Sequence, residues 1–484
     1  MVKPVTAEPD AGAADGTARA PSARRALAAL SLSMLLPSLG ISVANVGLPT
    51  LAQAFEAGFQ GVQWVVIGYL LAVTTSIVGA GRLGDIVGRR RLLLAGIAVF
   101  TVASALCGAA PTLGLLIAAR VAQGLGAAVM MALSMALVGE AVPKERTGSA
   151  MGLLGTMSAV GTALGPSLGG LLIAAAGWPA IFLAGVPLGV LALLLAHRHL
   201  PADRPAPRPA RAGFDRLGTL LLALTLAAYA LAMTQGRGGF GPANAVLLAA
   251  AAVGAGLFVL AERRAAAPLV RLAMLRDPTL AAGLASSALV STVMMATLVV
   301  GPFYLSRTLG LEAAMVGLVV SVGPVVSALT GIPAGRLVDR LGGRRMAVLG
   351  LAGIAVGAAA IAILPATLGI PGYAGPIVVM TAGYAMFQAA NNTTVMADVP
   401  PDRRGLVSGM LNLSRNLGLI TGASAMGAVF AAVVGDVAAA GPAAVADGLR
   451  ITFAVAAALI AVALATVVGS RMRATPAAIP ERAP

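Results

Sequence analysis

Two arginines, Arg120 and Arg415, stand inside long apolar stretches, each with amides on its own helical face. Gln123 and Gly124 follow Arg120 at i+3 and i+4, and Asn412 and Asn416 flank Arg415. A charge at the centre of a membrane helix costs roughly 2.5–3.5 kcal/mol on insertion scales, so its presence is by default a functional hypothesis. The chemistry open to such groups is recognition: a guanidinium offers five donors and keeps its proton, and an amide both donates and accepts. Arg120 either serves a site or bonds backbone carbonyls of a broken helix, and Arg415 either lines a cavity or fixes a helix. Asn45, Gln388, Asn391 and Asn392 place further amides in apolar stretches, where they bind a ligand or stitch helices together. Trp64 and Tyr69 either line a cavity or anchor a helix at the membrane interface.

The same inventory argues against catalysis. The chain has two histidines, His197 and His199, both at a membrane edge, and one cysteine, Cys107. That leaves no cluster for a metal or a nucleophile, so no metal, no cofactor and no enzyme activity are expected. No Asp or Glu lies in the interior of an apolar stretch; Glu140, Asp215, Glu262, Glu312 and Asp398 all fall near ends. Binding a cation in the membrane generally calls for a buried negative charge. Neutral or anionic amphipathic ligands are therefore expected over cationic ones.

The elements that position these groups are membrane helices. Of the 484 residues 58% are hydrophobic and 11% charged, mean hydropathy is +0.93, and apolar runs near twenty residues recur along the chain, which is the pattern of a polytopic membrane protein. Fourteen spans are expected, near 25–48, 62–81, 91–110, 112–136, 148–176, 178–197, 215–234, 243–262, 278–303, 314–335, 345–365, 373–395, 404–433 and 448–470. The net charge of +15 raises the question of nucleic acid. Of 33 Lys and Arg, three fall outside on this topology (Arg237, Arg307, Arg450) and two within spans (Arg120, Arg415), leaving 28 at the face of the termini. That asymmetry places both termini in the cytoplasm and makes the basic balance a topology signal rather than a nucleic-acid site. Residues 1–24, rich in Ala, Pro and small polar residues, and residues 471–484 read as cytoplasmic tails, the first disordered.

The chain is also duplicated. Gly81-Arg-Leu-Gly-Asp-Ile-Val-Gly-Arg-Arg-Arg91 returns 254 residues later as Gly335-Arg-Leu-Val-Asp-Arg-Leu-Gly-Gly-Arg-Arg345, each time read as a short charged loop. Gly148, Gly152, Gly161 and Gly165 align with Gly405, Gly409, Gly418 and Gly422 at a constant offset of 257. The fourteen spans thus divide into a six-helix bundle (25–197), a Pro- and Arg-rich linker (198–214), a two-helix insert (215–262) and a second six-helix bundle (278–470). Matched halves around a central site are the architecture of transporters whose halves rock against each other.

These motifs resemble the major facilitator superfamily, specifically its fourteen-span drug:proton antiporter branch. The resemblance rests on Gly81-x-Leu83-x-Asp85-x-x-Gly88-Arg89-Arg90 after span two, Arg120-x-x-Gln123-Gly124-x-Gly126 in span four and Gly161-x-x-x-Gly165-Pro166-x-x-Gly169-Gly170 in span five. Val43-Ala-Asn45-Val-Gly-Leu-Pro49, Gln63-Trp64-Val-Val-Ile-Gly-Tyr69 and Trp178-x-x-Ile-Phe182 add to it. It implies an all-α integral membrane protein of two six-helix bundles related by a pseudo-two-fold axis, plus two extra helices. It also implies export of a small drug-like, antibiotic or metabolite molecule by alternating access with protons as the counter-substrate, across the plasma membrane and as a monomer; two Lys among 33 basic residues, with abundant Ala, suggest a GC-rich bacterial genome.

By resemblance Asp85 latches onto the start of span thirteen near Gly405, and Asp339 makes the mirrored contact near Gly148, with Gly335, Arg340 and Arg344 completing the second gate motif. Arg120 is assigned to proton coupling or substrate orientation, and the span-five motif seals the cytoplasmic side. The branch commonly has an aspartate five residues before Asn45, where this chain has Gly40. Coupling would then fall to Asp85, Glu140 or Asp398 at span ends, to a proton carried by the substrate, or to nothing, making the protein a proton-independent facilitator or importer of a small metabolite.

Overall fold

The computed structural model describes residues 12–141, 147–203, 215–235, 241–265, 272–397, 399, 404–437 and 439–469. Among them are fourteen helices long and apolar enough to cross a membrane. In chain order they are α1 (Gly12–Ala54), α2 (Phe59–Val87), α3 (Arg89–Gly108), α4 (Leu113–Ala141), α5 (Thr147–Ala176), α6 (Ala180–His199) and α7 (Arg216–Thr234). They continue as α8 (Pro242–Arg264), α9 (Pro278–Arg307), α10 (Ala313–Leu341), α11 (Gly343–Ile363), α12 (Gly369–Met396), α13 (404–434) and α14 (Pro442–Gly469). Each overlaps one expected span. α1 is helical from Gly12, well before residue 25, because Ala13, Ala14, Ala18 and Ala20 favour helix over the irregular tail expected there.

The charged repeat is not a loop. Residues 81–87 form the last two turns of α2 and residues 335–341 those of α10, with one glycine, Gly88 or Gly342, between each and the next helix. Both glycines have positive φ, +109° and +83°, a region that glycine enters without the Cβ penalty of other residues. Their amides close the preceding helices on the carbonyls of Gly84 and Val338. The duplication is present in backbone geometry, 254 residues apart.

Packing repeats it as well. In the first half α1 packs on α5 and α6, and α4 on α2 and α3; in the second, α9 packs on α13 and α14, and α12 on α10 and α11. A Cβ on Gly161 would lie 2.5 Å from the Leu35 carbonyl oxygen of α1, and one on its counterpart Gly418 2.2 Å from that of Ala288 on α9. The glycine stripe of α5 thus lets α5 and α1 touch backbone to backbone, and α13 repeats the contact on α9.

The insert breaks the symmetry. α7 lies on α2, where Trp64 Nε1 donates to Thr234 Oγ1 at 2.9 Å. The hydroxyl of Tyr229 on α7 meets those of Thr421 and Ser424 on α13, so α7 spans both halves. α8 packs chiefly on α7 and is the least enclosed of the fourteen.

Candidate functional site

The two halves enclose a central cavity of about 360 Å³, within the size range of small-molecule sites. α1 and α5 supply Ser38, Ser42, Ser158 and Thr162, while α12 and α13 supply Thr381, Tyr384, Arg415 and Asn416. Leucines, isoleucines and the thioethers Met131, Met294 and Met295 make up much of the remaining wall; methionine adapts to ligands of different shape. Arg415 and Ser158, which the duplication places in equivalent positions, face the same cavity from opposite halves. Ser158 is tied to Ser38 by a 2.6 Å hydrogen bond. Arg415 is half-buried, and its Nε has no hydrogen-bond partner among the described residues; the same holds for Thr381 Oγ1.

Arg120 is placed differently. It is fully buried inside the first half and does not line the cavity. Its Nε donates to the Val65 carbonyl of α2 at 2.9 Å, and Nη1 donates to Gln123 Oε1. Gln123 Nε2 in turn donates to Ser104 Oγ on α3 at 2.6 Å. The guanidinium lies 4.2 Å from the Tyr69 ring centroid and 5.7 Å from that of Phe182 on α6, within the range of cation–π attraction. The Tyr69 hydroxyl donates to the Pro37 carbonyl of α1 at 3.0 Å. One cation on α4 therefore touches α2 and α6 directly and reaches α3 through Gln123 and α1 through Tyr69.

The remaining amides divide. Gln388 donates to the Tyr384 hydroxyl at 2.9 Å, behind the cavity wall. Asn45 is buried and donates to Ile41 of its own helix, Asn391 is buried, Asn392 exposed and Asn412 half-buried, none of them in the wall. Trp64 holds the insert. Sequence reasoning gave no role to Thr381, Tyr384 or the methionine pair on α9, since which face of a helix meets a cavity depends on packing between distant spans.

At the end opposite the termini the halves are in contact. Phe59 of α2 packs against Phe303 and Phe430 of the second half, with centroids 4.7 and 5.1 Å apart. Gln63 Nε2 donates to the Ala423 carbonyl at 2.8 Å, within the π-helical segment Gly422–Met426 that interrupts α13. Such bulges release backbone carbonyls for other partners. Gly170 of α5 faces Gly317 of α10 so closely that a Cβ on Gly317 would lie 2.3 Å from the Pro166 carbonyl oxygen. The span-five motif thus joins the halves here, at the end away from the termini, and not at the termini end, which the sequence reading took as cytoplasmic and where the resemblance put its seal; Gly161, Gly165 and Gly169 all face α1 of their own half.

At the termini end, a Cβ on Gly81, Gly335 or Gly409 would meet nothing within 4 Å among the described residues. The side chains of Asp85 and Asp339, and the surroundings of Gly405 and Gly148 that they are expected to meet, lie outside what is described, as do the carboxylates of Glu140 and Asp398. Leu83 and Arg340 are exposed. Arg90 Nη2 donates to the His197 carbonyl at the end of α6, 2.5 Å away, and Arg344 Nη2 to the Val468 carbonyl near the end of α14, 3.1 Å away. Cations at these helix ends also favour the helix dipole. Asp203, in the segment read as a linker, accepts from the amides of Arg90 and Arg91 at 2.8 and 3.2 Å and caps α3. A Cβ on Gly88 would strike that carboxylate.

Fourteen membrane-length helices in two pseudo-symmetric bundles, joined at one end around a central cavity, define a two-bundle membrane transporter. The chain belongs to the Major Facilitator Superfamily, whose family model matches residues 30–423. It is 33% identical over 417 residues to the multidrug resistance protein Stp of Mycobacterium tuberculosis, covering 84% of this chain and 75% of that one. It is 31% identical over 414 residues to the multidrug efflux pump LfrA of Mycolicibacterium smegmatis, covering 84% and 81%. Its fold matches that of a bacterial homologue of the human lysosomal transporter Spinster, solved inward-facing and unoccupied, with a TM-score of 0.69, 18% identity and coverage of 95% and 100%.

Proposed function

We propose that this chain exports small amphipathic organic compounds from the bacterial cytoplasm by alternating access, energised by the proton motive force. The observation that carries this reading is the central cavity, walled by both halves, which among the described residues meet at the end away from the termini. The basic residues at the termini face put that face in the cytoplasm, so the joined end is the outer one and the cavity stands ready to load from inside. One chain supplies both walls, in keeping with a working monomer. Export accords with the efflux and resistance relatives. Arg415 with neutral hydroxyls and amides favours neutral or anionic amphiphiles over cations.

How protons enter is a separate matter. Among the described lining residues there is no Asp or Glu, so antiport by a titrating carboxylate falls to Asp85, Glu140 or Asp398 at the cytoplasmic edge. The same feature favours a second reading, a facilitator of a small metabolite. Uptake of a panel of labelled anionic, neutral and quaternary ammonium amphiphiles into respiring inside-out vesicles separates them. Export predicts uphill uptake of anionic and neutral compounds that a protonophore reduces to the level of vesicles lacking the protein. Downhill uptake unaffected by the protonophore would make the protein a facilitator, and robust uptake of the quaternary compound would overturn the charge preference.

A further inference from the structure

Arg415 is the one charged side chain among the described residues lining the central cavity. Its counterpart in the other half is Ser158, so the duplication supplies no balancing acid. A guanidinium does not lose its proton in a protein, and the positive charge of the cavity is therefore fixed. Where one end of the cavity is closed and the other is wet, the membrane potential falls mainly across the closed end. Arg415 then sits near the potential of whichever compartment the cavity opens to. When access switches, the charge crosses much of the field while the side chain itself moves little.

We propose that Arg415 is the anion-binding group of the cavity and the element through which the membrane potential drives export. This rests on the export reading above and gives it a driving force that needs no titrating carboxylate. The substrate is an organic anion, an amphiphile ending in a carboxylate or sulfonate. Such a head forms charge-assisted hydrogen bonds with the guanidinium, and Thr381 and Asn416 stand in the same wall as further polar partners. With the anion bound, the carrier is electrically neutral in the cavity and switches independently of the potential. Once the anion is released outside, the empty carrier bears one positive charge, and the inside-negative potential draws it back to the cytoplasm-open form. One negative charge leaves per cycle. At 100 mV one elementary charge supports an accumulation ratio of about 50-fold.

The empty-carrier step can be read without knowing the natural substrate. The full chain carries a fluorophore pair at Gln53→Cys and Glu312→Cys, exposed positions at the outer end of each half, with the buried Cys107 left in place. It is reconstituted in phosphatidylcholine liposomes, chains of the opposite orientation are silenced with an impermeant quencher, and the potential is set by potassium and valinomycin. The ratio of outer-closed to outer-open carrier should rise by up to about 50-fold per 100 mV, cytoplasmic side negative. Anilinonaphthalene sulfonate should flatten that response, and its neutral analogue phenylnaphthylamine should not. Arg415→Gln should abolish the response and Arg415→Lys, which keeps the charge, should restore it. A flat wild-type response, or an Arg415→Gln protein that responds as wild type does, would overturn the proposal. If phosphatidylglycerol in the bilayer flattens the response as the sulfonate does, the anion is a lipid headgroup and the soluble-anion assignment fails. An intact response in a protein that shows no vesicle uptake would remove the export reading while leaving the role of Arg415 standing.

Discussion

Arg120→Ala is expected to lose transport and much of its folded yield, and Arg120→Lys to recover little of either. The side chain is fully buried and bonds α2 and Gln123, which continues to α3, beneath the rings of Tyr69 and Phe182. Truncation removes the donor that Gln123 Oε1 relies on and leaves a void under two aromatic rings. An orphaned buried acceptor and a cavity together cost about 3 kcal/mol. Lysine keeps the charge but lacks the planar fork that reaches Val65 and Gln123 at once and stacks on tyrosine. Thermal unfolding in detergent alongside vesicle transport distinguishes the roles. Loss of both supports a cation that holds the first half together. A thermally intact Arg120→Ala protein without transport would restore the coupling role that the resemblance implies, and wild-type behaviour in both assays would mean the network is dispensable.

Gly317→Val is expected to abolish transport while leaving the fold intact. A Cβ there lies 2.3 Å from the Pro166 carbonyl oxygen and 3.0 Å from Gly170 Cα. Both obstacles are backbone, so no side chain can swing aside and the halves must part at the outer end. Gly317 faces the seam between the bundles and not the core of either, so the strain falls on closure. Overpacking of this kind typically costs 1–3 kcal/mol, here directed against the outer-closed state. Gly331→Val on the same helix, where a Cβ meets nothing within 4 Å, is the control and should transport normally. An outer-end fluorophore pair that still closes in Gly317→Val would refute this assignment of the seam.

Much of the architecture was legible in the sequence. Hydropathy located all fourteen helices, and the offsets of 254 and 257 found a duplication that recurs in the φ angles of Gly88 and Gly342 and in the backbone contacts of Gly161 and Gly418. Less legible was which side each residue faces. Trp64 holds α7 instead of lining a cavity, because its partner Thr234 is 170 positions away. Arg120 and Arg415 look alike as lone cations with amides on their faces, yet one is sealed inside a bundle and the other opens to the cavity. Helix periodicity ranks the faces of a single span, whereas the cavity is defined by two bundles meeting. The π segment of α13 and the Asp203 cap on α3 left no pattern either, since each depends on a contact with another helix.

Alternating access requires that one cavity face the two sides of the membrane in turn. Ser327 on α10 is half-buried in its wall, and the most direct test is the reactivity of Ser327→Cys with an impermeant maleimide applied from either side. Alternating access predicts labelling from the cytoplasmic side in the outer-closed form described here, and from the outer side when Gly317→Val is added to hold that end open. Labelling from one side alone, whichever end is held open, would contradict it.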